Sequence, residues 1–506
     1  MSSQRFFRSP LRLAATAALL VCPPAFADKP NIIFLLADDI GYGDLSCYGA
    51  KHVKTPNLDR LAAQGRRFTD AHSPAATCTP TRRALVTGVY SWRQPPGSSI
   101  APGDAAMTIE PGSTTIASLL KSAGYRTGIV GKWHLGLGPE GGPDWNGDIK
   151  PSPLDLGFDS SFIMAATGDR VPTVFIENRR VVGLDPEDPI RVSYNAKIGS
   201  DPTGMENPEL LKLKHTHGHD MTIVNGVGRI GWMSGGNAAR WKDEEMSDTF
   251  AAKALRFIED HKAGPFFLYY ATHNIHVPRV PNPRFKGTSA AGTRGDAIHE
   301  LDDAVGRVMA KLDELKLADN TLFIFTSDNG GVMDDGYEDV GGFDYHPNAP
   351  LHGTKGTLYE GGHRVPFIAR WPGRIAAGSE SPALMALLDI PATFAALTGA
   401  VIPAGQCADS INTLPALLGE TEDSARREFV AHVGGTEGPF CLRAGLWKYI
   451  APGGGGHGRN KGEATGEAQL YDLATDPAEE INLATSQPAK LREMQALLAR
   501  LVNKAK

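Results

Sequence analysis

The sequence predicts an α/β fold, in which helices cover a large mixed, mainly parallel sheet, followed by a small C-terminal α+β domain with an antiparallel sheet. Three observations carry this prediction. Short apolar runs alternate with amphipathic helical patterns from residue 31 to about residue 326, which is typical of parallel sheets. Polar clusters follow these runs directly. After about residue 424 the chain changes to short alternating segments, which are typical of antiparallel strands.

The first unit consists of a strand, a loop and a helix. The run NIIFLLA at Asn31–Ala37 is almost entirely apolar, as expected for a strand buried on both faces. The predicted helix that follows has Thr55 as its N-cap and Pro56 at its first position, and it ends at Gly65. A strand from about residue 67 then leads towards residue 78.

Residues 78–88, CTPTRRALVTG, predict the second helix. Pro80 suits the first turn, where its missing N–H costs nothing, and Gly88 suits a C-terminal stop. Cys78 then lies at the helix N-terminus, where unpaired N–H groups and the positive charge of Arg82 favour an anion. A small nucleophilic side chain beside an anion site suggests attack on a charged ester. A lone cysteine is more often a buried thiol or half of a disulfide, so the other parts of the site must decide.

The helix and strand unit recurs along the chain. Helical patterns at residues 114–123, 247–262 and about 301–315 precede apolar strands at 125–130, 266–270 and 321–326. Ligands of such sheets bind beyond the carboxyl ends of the strands. The polar residues that follow the predicted strands are Asp38, Asp39, Lys132, His134, His273, His276, Asp328 and Asn329. We therefore expect these side chains to gather along one edge.

Residues from about 159 to 238 are predicted to form long loops over that edge, because the pattern weakens into Gly, Pro, Asn and Asp. Loops on a rigid scaffold commonly select substrates. The candidate substrate residues there are Asp169, Arg170, His215 and His217. The alternating histidines 215, 217 and 219 could hold a metal ion, but contact with substrate or solvent is the favoured interpretation.

The C-terminal pattern predicts strands at 428–432, 440–443 and 447–450, a flexible turn at 453–456 and a closing amphipathic helix at 489–502. The N-terminus predicts a signal peptide, since three arginines precede an apolar run at 13–21 and the small-x-small site AFA at 25–27. We divide the chain into a signal peptide (1–27), a catalytic domain (28–424) and a C-terminal domain (425–506). The mature protein is expected to be periplasmic or secreted.

Composition narrows the function classes. The 506 residues carry 51 Lys and Arg against 57 Asp and Glu, a formal charge of -6, so there is no global attraction for nucleic acid. No internal apolar run is long enough to cross a bilayer. The cysteines of the predicted mature chain are too few for a disulfide framework, although Cys407 and Cys441 are a candidate pair.

The polar residues at the predicted edge suit a hard cation and an anionic ester. Asp38, Asp39, Asp328 and Asn329 offer only oxygen ligands, which Ca²⁺ and Mg²⁺ prefer. Each pair alone is also an ordinary turn former. Cleavage of a sulfate ester needs neutralised charge, a nucleophile and a proton for the departing oxygen. The candidates are the cation with Arg82, Lys132 and Lys355 for the charge, Cys78 for the nucleophile and His276 for the proton.

These segments resemble the successive motifs of the type I, formylglycine-dependent sulfatases, arylsulfatase-like members of the alkaline phosphatase superfamily. The matching stretches are NIIFLLADD (31–39), CTPTR (78–82), GKWHLG (131–136), HVP (276–278), SDNG (327–330), GTKGTLYEGG (353–362) and YDLATDPAEEINL (471–483). The resemblance covers nearly the whole predicted mature chain. It implies an alkaline-phosphatase-like sandwich and a formylglycine-generating enzyme as a maturation partner.

The resemblance also implies individual roles. Asp38, Asp39, Asp328, Asn329 and Cys78, modified to formylglycine, would bind one Ca²⁺. Arg82, Lys132 and His134 would hold the formylglycine hydrate, which is the nucleophile, and Lys132 and Lys355 would grip sulfate. His276 would protonate the leaving alcohol. His273 fits the His-x-Pro motif less well than His276 does and is a candidate substrate residue.

We expect the substrate to be a sulfated carbohydrate, because an exported enzyme with long polar loops suits a hydroxylated ligand. The alternatives are a broad aryl sulfate hydrolase, a phosphodiesterase or phosphonate monoester hydrolase of the same superfamily, and an inactive glycan-binding protein on this fold. Asn329 argues against the phosphodiesterase, since an Asp-His pair there would suit a transition metal better.

Overall fold

The predicted sheet is present, with the strand Asn31–Ala37 near its centre. A computed structural model describes residues 29–94, 100–337, 345–433, 438–453 and 466–503. The predicted signal peptide at 1–27 and most of the predicted turn at 453–456 lie outside these residues. Among the described helices, none combines the length and apolar character needed to cross a membrane.

The helices and strands are as follows. The helices are α1 (Pro56–Ala63), α2 (Cys78–Thr87), α3 (Ile116–Ser122), α4 (Met246–Asp260), α5 (Gly292–Glu314), α6 (Glu360–His363), α7 (Ile390–Thr398), α8 (Leu414–Leu418) and α9 (Pro488–Asn503). The strands are β1 (Asn31–Ala37), β2 (Arg66–Phe68), β3 (Ala71–His72), β4 (Arg126–Lys132), β5 (Ser160–Met164), β6 (Phe175–Glu177), β7 (Arg180–Val181), β8 (Arg191–Ser193), β9 (Ile223–Val224), β10 (Val227–Gly228), β11 (Trp232–Ser234), β12 (Phe266–Ala271), β13 (Thr321–Ser327), β14 (Phe367–Arg370), β15 (Ser379–Ser381), β16 (Met385–Ala386), β17 (Glu428–His432), β18 (Phe440–Ala444), β19 (Trp447–Ile450) and β20 (Gln469–Asp472).

The large sheet has the strand order β15-β2-β14-β13-β1-β12-β4-β5-β6-β7. Its middle strands from β13 to β5 run parallel, whereas β14, β6 and their outer neighbours introduce antiparallel pairs. Side chains alternate between two cores: Phe34 of β1 packs in one hydrophobic cluster and Ile33 in another. Because both faces are covered, β1 reads as a continuous apolar run. The predicted mixed, mainly parallel α/β sheet is confirmed.

Helix α2 follows its sequence signals closely. It begins at Cys78, as the position of Pro80 indicated, and it ends before Gly88. Gly88 has φ +66°, and its N–H donates to the carbonyl of Ala84 at 2.8 Å. A left-handed residue that closes the last turn is the reason why glycine stands there.

The region predicted as long loops contains more structure than expected. Strand β5 belongs to the large sheet beside β4, and short strands β6 to β11 follow. The five residues of β5 begin with two serines, so its apolar signal was too short to be distinguished from a loop. These short strands make the region a partly paired layer instead of open loops.

The C-terminal four-stranded antiparallel sheet has the order β17-β18-β19-β20. The first three strands and helix α9 were predicted. Strand β20 was missed because its two apolar residues are adjacent and show no alternation. The candidate disulfide does not form: Cys407 and Cys441 are both free, as are Cys47 and Cys78. The division of the chain at residue 424 stays a prediction.

Buried charges connect the C-terminal sheet to the segment that leads into α6. Arg443 lies 2.7 Å from Oε2 of Glu360 and 3.3 Å from Oδ2 of Asp70. Lys448 lies 3.1 Å from Oε1 of Glu360 and 2.8 Å from Oε1 of Glu479. We call these five residues the junction network. Its carboxylates and cations compensate one another at a place that water does not reach.

Candidate active site

Four neighbouring strands deliver the predicted polar residues to one edge of the sheet. In the order β13, β1, β12 and β4, the strands are followed by Asp328, Asp38, His276 and the Lys132 end of β4. Carboxyl ends of parallel strands share an edge, so sequence positions hundreds of residues apart meet there. The expected convergence is therefore present.

Two buried cations each pair with a carboxylate of this edge. Lys132 Nζ lies 2.8 and 2.7 Å from the two carboxylate oxygens of Asp38. Arg82 Nε donates to Oδ2 of Asp328 at 2.8 Å. The side chains of these four residues are completely buried. Burial at this depth is tolerated because each charge has a partner of opposite sign.

The second carboxylate of the Asp-Asp pair is held by other groups. Lys355 Nζ lies 2.8 Å from Oδ2 of Asp39, and Nδ2 of Asn329 donates to Oδ1 of Asp39 at 2.7 Å. His276 Nε2 lies 4.0 Å from Oδ2 of Asp39. Asp39 adopts φ +61°, a left-handed conformation that Asp tolerates better than most residues.

Burial and charge act differently on the two aspartates. Burial raises the pKa of Asp38 to about 8, although Lys132 beside it acts in the opposite direction. Burial also acts to raise the pKa of Asp39, but Lys355, His276 and Lys132 outweigh it and leave the pKa below its usual value. The neighbouring carboxylates Asp328 and Asp39 also raise the pKa of Asp38, so a cation bound among these groups would favour the ionised form of Asp38.

The donor set fits an oxygen-loving cation. The buried residues Asp38, Asp39 and Asp328 supply carboxylate oxygens, and we call them the carboxylate cluster. Ligand atoms of Asp38, Asp39 and His276 lie within 4.8 Å of one another. Oδ1 of Asn329 is buried and has no hydrogen-bond partner among the described residues. A buried acceptor without a partner calls for one. Hard cations such as Ca²⁺ prefer this kind of oxygen set.

Cys78 lies at the first position of α2 with its side chain almost fully buried. It lines a cavity of about 240 Å³, together with His276 and Lys355. Burial raises the pKa of the Cys78 thiol, although Lys132 and Lys355 act to lower it. Cys78 therefore faces the same space as the candidate proton donor and the candidate sulfate ligand.

The outer wall of this cavity comes from the loop region. It is lined by Asp169, Arg170, His217 and His219, and by Asp335 from the segment after β13. Arg170 NH1 donates to Oδ1 of Asp169 at 2.9 Å, and Nε2 of His219 lies 3.0 Å from Oδ2 of Asp169. The wall is polar and presents both signs of charge, which suits a hydroxylated ligand.

His276 presents one ring nitrogen to the site. Its Nδ1 lies 2.8 Å from the carbonyl of Val277, and a carbonyl only accepts, so Nδ1 carries the hydrogen and Nε2 is left to gain or lose a proton. Burial and Lys355 lower the pKa of His276 to about 4, against the opposing effect of Asp39. An anion bound beside the ring would stabilise the protonated form.

His134 is held in place mainly by hydrogen bonds. Its Nε2 lies 2.9 Å from the carbonyl of Ala101, and Thr79 Oγ1 donates to the His134 carbonyl at 3.2 Å. Its Nδ1 is buried without a hydrogen-bond partner in the part of the chain that is described. Burial, followed by Lys132, keeps the pKa of His134 well below its usual value.

Three predicted substrate residues do not line the cavity. Lys132 is completely buried beside Asp38. His273 packs its ring against Phe250, with centroids 5.5 Å apart. His215 forms a backbone bridge with Tyr337. None of the three belongs to the lining of the cavity that contains Cys78, and a substrate role for each stays a prediction.

A second group of potential metal ligands, His72, Glu360 and His363, shares Glu360 with the junction network. His72 Nε2 lies 2.8 Å from Asp70 and its Nδ1 lies 3.0 Å from Nδ1 of His363. Lys448 lies 3.2 Å from Nε2 of His363. Every ring nitrogen is thus engaged, and the cations already compensate Glu360, so this group does not suit a metal ion.

The family of this chain is shown by its similarity to known proteins. A model of the sulfatase family matches residues 30–400. The chain belongs to the sulfatase family. This sulfatase is 49% identical over 486 residues to an N-acetylgalactosamine-6-O-sulfatase of Bacteroides thetaiotaomicron, covering 93% of each chain. It is 34% identical to human arylsulfatase A, covering 97% of this chain and 91% of that one.

A solved structure gives the same result for the fold. It comes from a study of the metabolism of multiple glycosaminoglycans by Bacteroides thetaiotaomicron and aligns with a TM-score of 0.91 at 48% identity. The alignment covers 94% of this sulfatase and all of that chain. The predicted membership of the sulfatase family, and with it sulfuric ester hydrolase activity, is confirmed.

Sequence reasoning missed two carboxylates of this sulfatase. Asp335 lines the cavity, yet it stands in a run of Asp and Gly residues that resembles any turn. Glu479 stands beside Glu480 in the C-terminal motif, and nothing in the sequence distinguishes the two, yet Glu479 is the buried one and contacts Lys448.

Proposed function

We propose that this sulfatase is an exported enzyme that removes the 6-O-sulfate of N-acetylgalactosamine in a sulfated carbohydrate, using formylglycine made from Cys78 and a bound calcium ion. One observation carries the proposal: Cys78 at a helix N-terminus lines the same cavity as His276 and Lys355, next to the buried carboxylates. The sugar is proposed from the name of the Bacteroides relative, and the polar outer wall supports it.

The residues of the chain divide the task of binding sulfate. Asp38, Asp39, Asp328 and Asn329, with modified Cys78, would hold the calcium ion, which supplies positive charge for the sulfate oxygens when it is bound. Lys355, which lines this cavity, and Lys132, which is buried against Asp38, would add fixed positive charge near the sulfate. These cations are already positioned by carboxylates, so little reorganisation is needed when negative charge develops on sulfate.

The nucleophile and the proton donor would act from the same cavity. Modified Cys78 would supply an aldehyde hydrate as the attacking oxygen. Arg82, one helical turn after Cys78, and Lys132, at the end of β4, would hold it. His276 presents Nε2 to the cavity and would give its proton to the oxygen that leaves with the sugar. The outer wall, with Asp169, would contact the hydroxyl groups of the sugar ring.

Peptide mass spectrometry across residue 78 tests the nucleophile. We expect loss of the cysteine thiol and the mass of an aldehyde when the protein is produced together with a formylglycine-generating enzyme. The Cys78→Ala variant serves as the matched control and should fold without releasing sulfate. A protein that desulfates its substrate while residue 78 remains an intact thiol would contradict the proposal.

A substrate panel tests the rest. N-acetylgalactosamine 6-sulfate should be desulfated faster than N-acetylgalactosamine 4-sulfate, N-acetylglucosamine 6-sulfate, 4-nitrophenyl sulfate and a phosphonate monoester. Preference for the aryl sulfate would indicate a broad arylsulfatase, and preference for the phosphonate ester would indicate the other branch of the superfamily. Glycan binding without sulfate release would indicate an inactive binding protein.

A further inference from the structure

The ammonium of Lys355 lies between two carboxylates. Its Nζ is 2.8 Å from Oδ2 of Asp39 and 2.8 Å from Oδ2 of Asp335. Asp39 is fully buried in the carboxylate cluster, whereas the Asp335 side chain is 33% exposed and lines the cavity with Cys78. Lys355 thus bridges the candidate cation site and the wall of the substrate cavity.

The backbone around Asp335 is fixed on both sides. The N–H of Lys355 donates to the carbonyl of Gly331 at 3.1 Å, and the N–H of Thr216 donates to the carbonyl of Gly336 at 2.9 Å. Farther along, the Tyr337 hydroxyl donates to the carbonyl of Gly228 at 2.7 Å. Asp335 therefore stands on an anchored segment and can hold another side chain in place.

When a cation is bound, the cation and Lys355 compete for the carboxylate of Asp39. A cation in the carboxylate cluster would engage the oxygens of Asp39 and would repel the ammonium of Lys355 at the same time. The four-carbon stem of Lys355 is flexible, so the amine would gain freedom if it lost its contact with Asp335. Asp335 lies outside the carboxylate cluster and keeps its oxygen for Lys355.

We propose that Asp335 is the positioning residue for Lys355. When a cation engages Asp39, Asp335 holds the ammonium of Lys355 at the cavity wall. The N–H of Lys355 that no longer donates to Asp39 then faces a sulfate oxygen. This inference rests on the proposed function, because it assigns Lys355 to sulfate. Asp335 acts through Lys355 and does not itself take part in the chemistry.

A double-mutant cycle tests this dependence. Ordering one flexible side chain corresponds to roughly a three- to tenfold effect, so Asp335→Ala should lower kcat/KM by that factor in the wild-type background. In the Lys355→Met background the same substitution should change kcat/KM by less than about twofold, because nothing is left to position. Asp335→Glu should recover part of the loss.

Asp334→Ala is the matched control, since Asp334 contacts Thr216 and does not line the cavity; it should leave kcat/KM within about twofold. Equal losses from Asp335→Ala in both backgrounds, or a gain in kcat/KM, would overturn the proposal.

Urea unfolding needs no substrate and measures the same coupling as a free energy of unfolding. It is applied to the wild type, Asp335→Ala, Lys355→Met and the double variant. Coupling between positions 335 and 355 should persist in calcium, and coupling seen with EGTA but absent with calcium would also overturn the proposal. Failure of the proposed function alone would remove desulfation and leave this coupling measurable.

Discussion

Replacing His276 by alanine tests the proton donor directly. Nδ1 of His276 is tied to the carbonyl of Val277, so Nε2 is the atom that can serve the departing oxygen. The side chain is 4% exposed, and little water can take its place in the variant. A positioned general acid contributes about 10²- to 10⁴-fold, or about 3 to 5 kcal/mol of the barrier.

We expect the full loss with a sugar sulfate, whose leaving alcohol is a strong base and needs the proton. With 4-nitrophenyl sulfate the loss in kcat should stay below about tenfold, because the leaving phenolate is stable without a proton. Steady-state kinetics on both substrates measures the difference. His299→Ala is the control and should have little effect on either substrate, since His299 lies on α5 and outside the lining of the cavity. Equal losses on both substrates for His276→Ala would refute the assignment.

Three further predictions concern metal, pH and the junction network. EGTA should lower activity and melting temperature, and Ca²⁺ at 100 times its Kd should restore about 2.7 kcal/mol of stability; Asn329→Ala should reduce this shift in calorimetry, and an unchanged shift would exclude Asn329 as a ligand. Burial raises the pKa of Glu300 to about 7, against the N–H groups of Asn282 and Asn274 that lower it. The folded state therefore binds more protons than the unfolded state between about pH 4.5 and 7, and stability is lost as pH rises through that window. The free energy of unfolding of the wild type, measured against Glu300→Gln, should fall by about 3 kcal/mol across it, and a constant difference would contradict the pKa. Arg443→Met should cost about 3 to 5 kcal/mol because buried carboxylates lose their cation; a loss below 1 kcal/mol in urea unfolding would show that the network is dispensable.

Much of the fold was predictable because its signals are local. Strand β1 is a continuous apolar run, and helix α2 carries Pro80 and Gly88 where a helix begins and ends. The edge that gathers Asp38 and Asp328 followed from parallel topology alone. Strands β5 and β20 were not predictable, because their apolar residues, three in β5 and two in β20, are adjacent and show no alternation that would distinguish a strand from a loop.

The contacts within the site depend on long-range placement and could not be read from local patterns. Nothing near Asp335 indicates that it meets Lys355 twenty positions later. In the same way, His215 and His217 alternate in one short segment, yet only His217 lines the cavity. The path of each loop over the sheet edge determines which polar side chains reach the site. Local sequence patterns do not predict that path.

The junction network makes the last eighty residues or so an integral part of the hydrolase. Glu360, five positions after Lys355, has its charge balanced by Arg443 and Lys448 of the terminal sheet, and the N–H of Glu360 donates to Glu479 at 2.6 Å. A shortened protein that ends where the family match ends, at residue 400, would expose this carboxylate and release the segment that carries Lys355. Chimeras between relatives should therefore exchange all residues of the junction network together. The residues up to 400 alone are not a usable starting point for engineering.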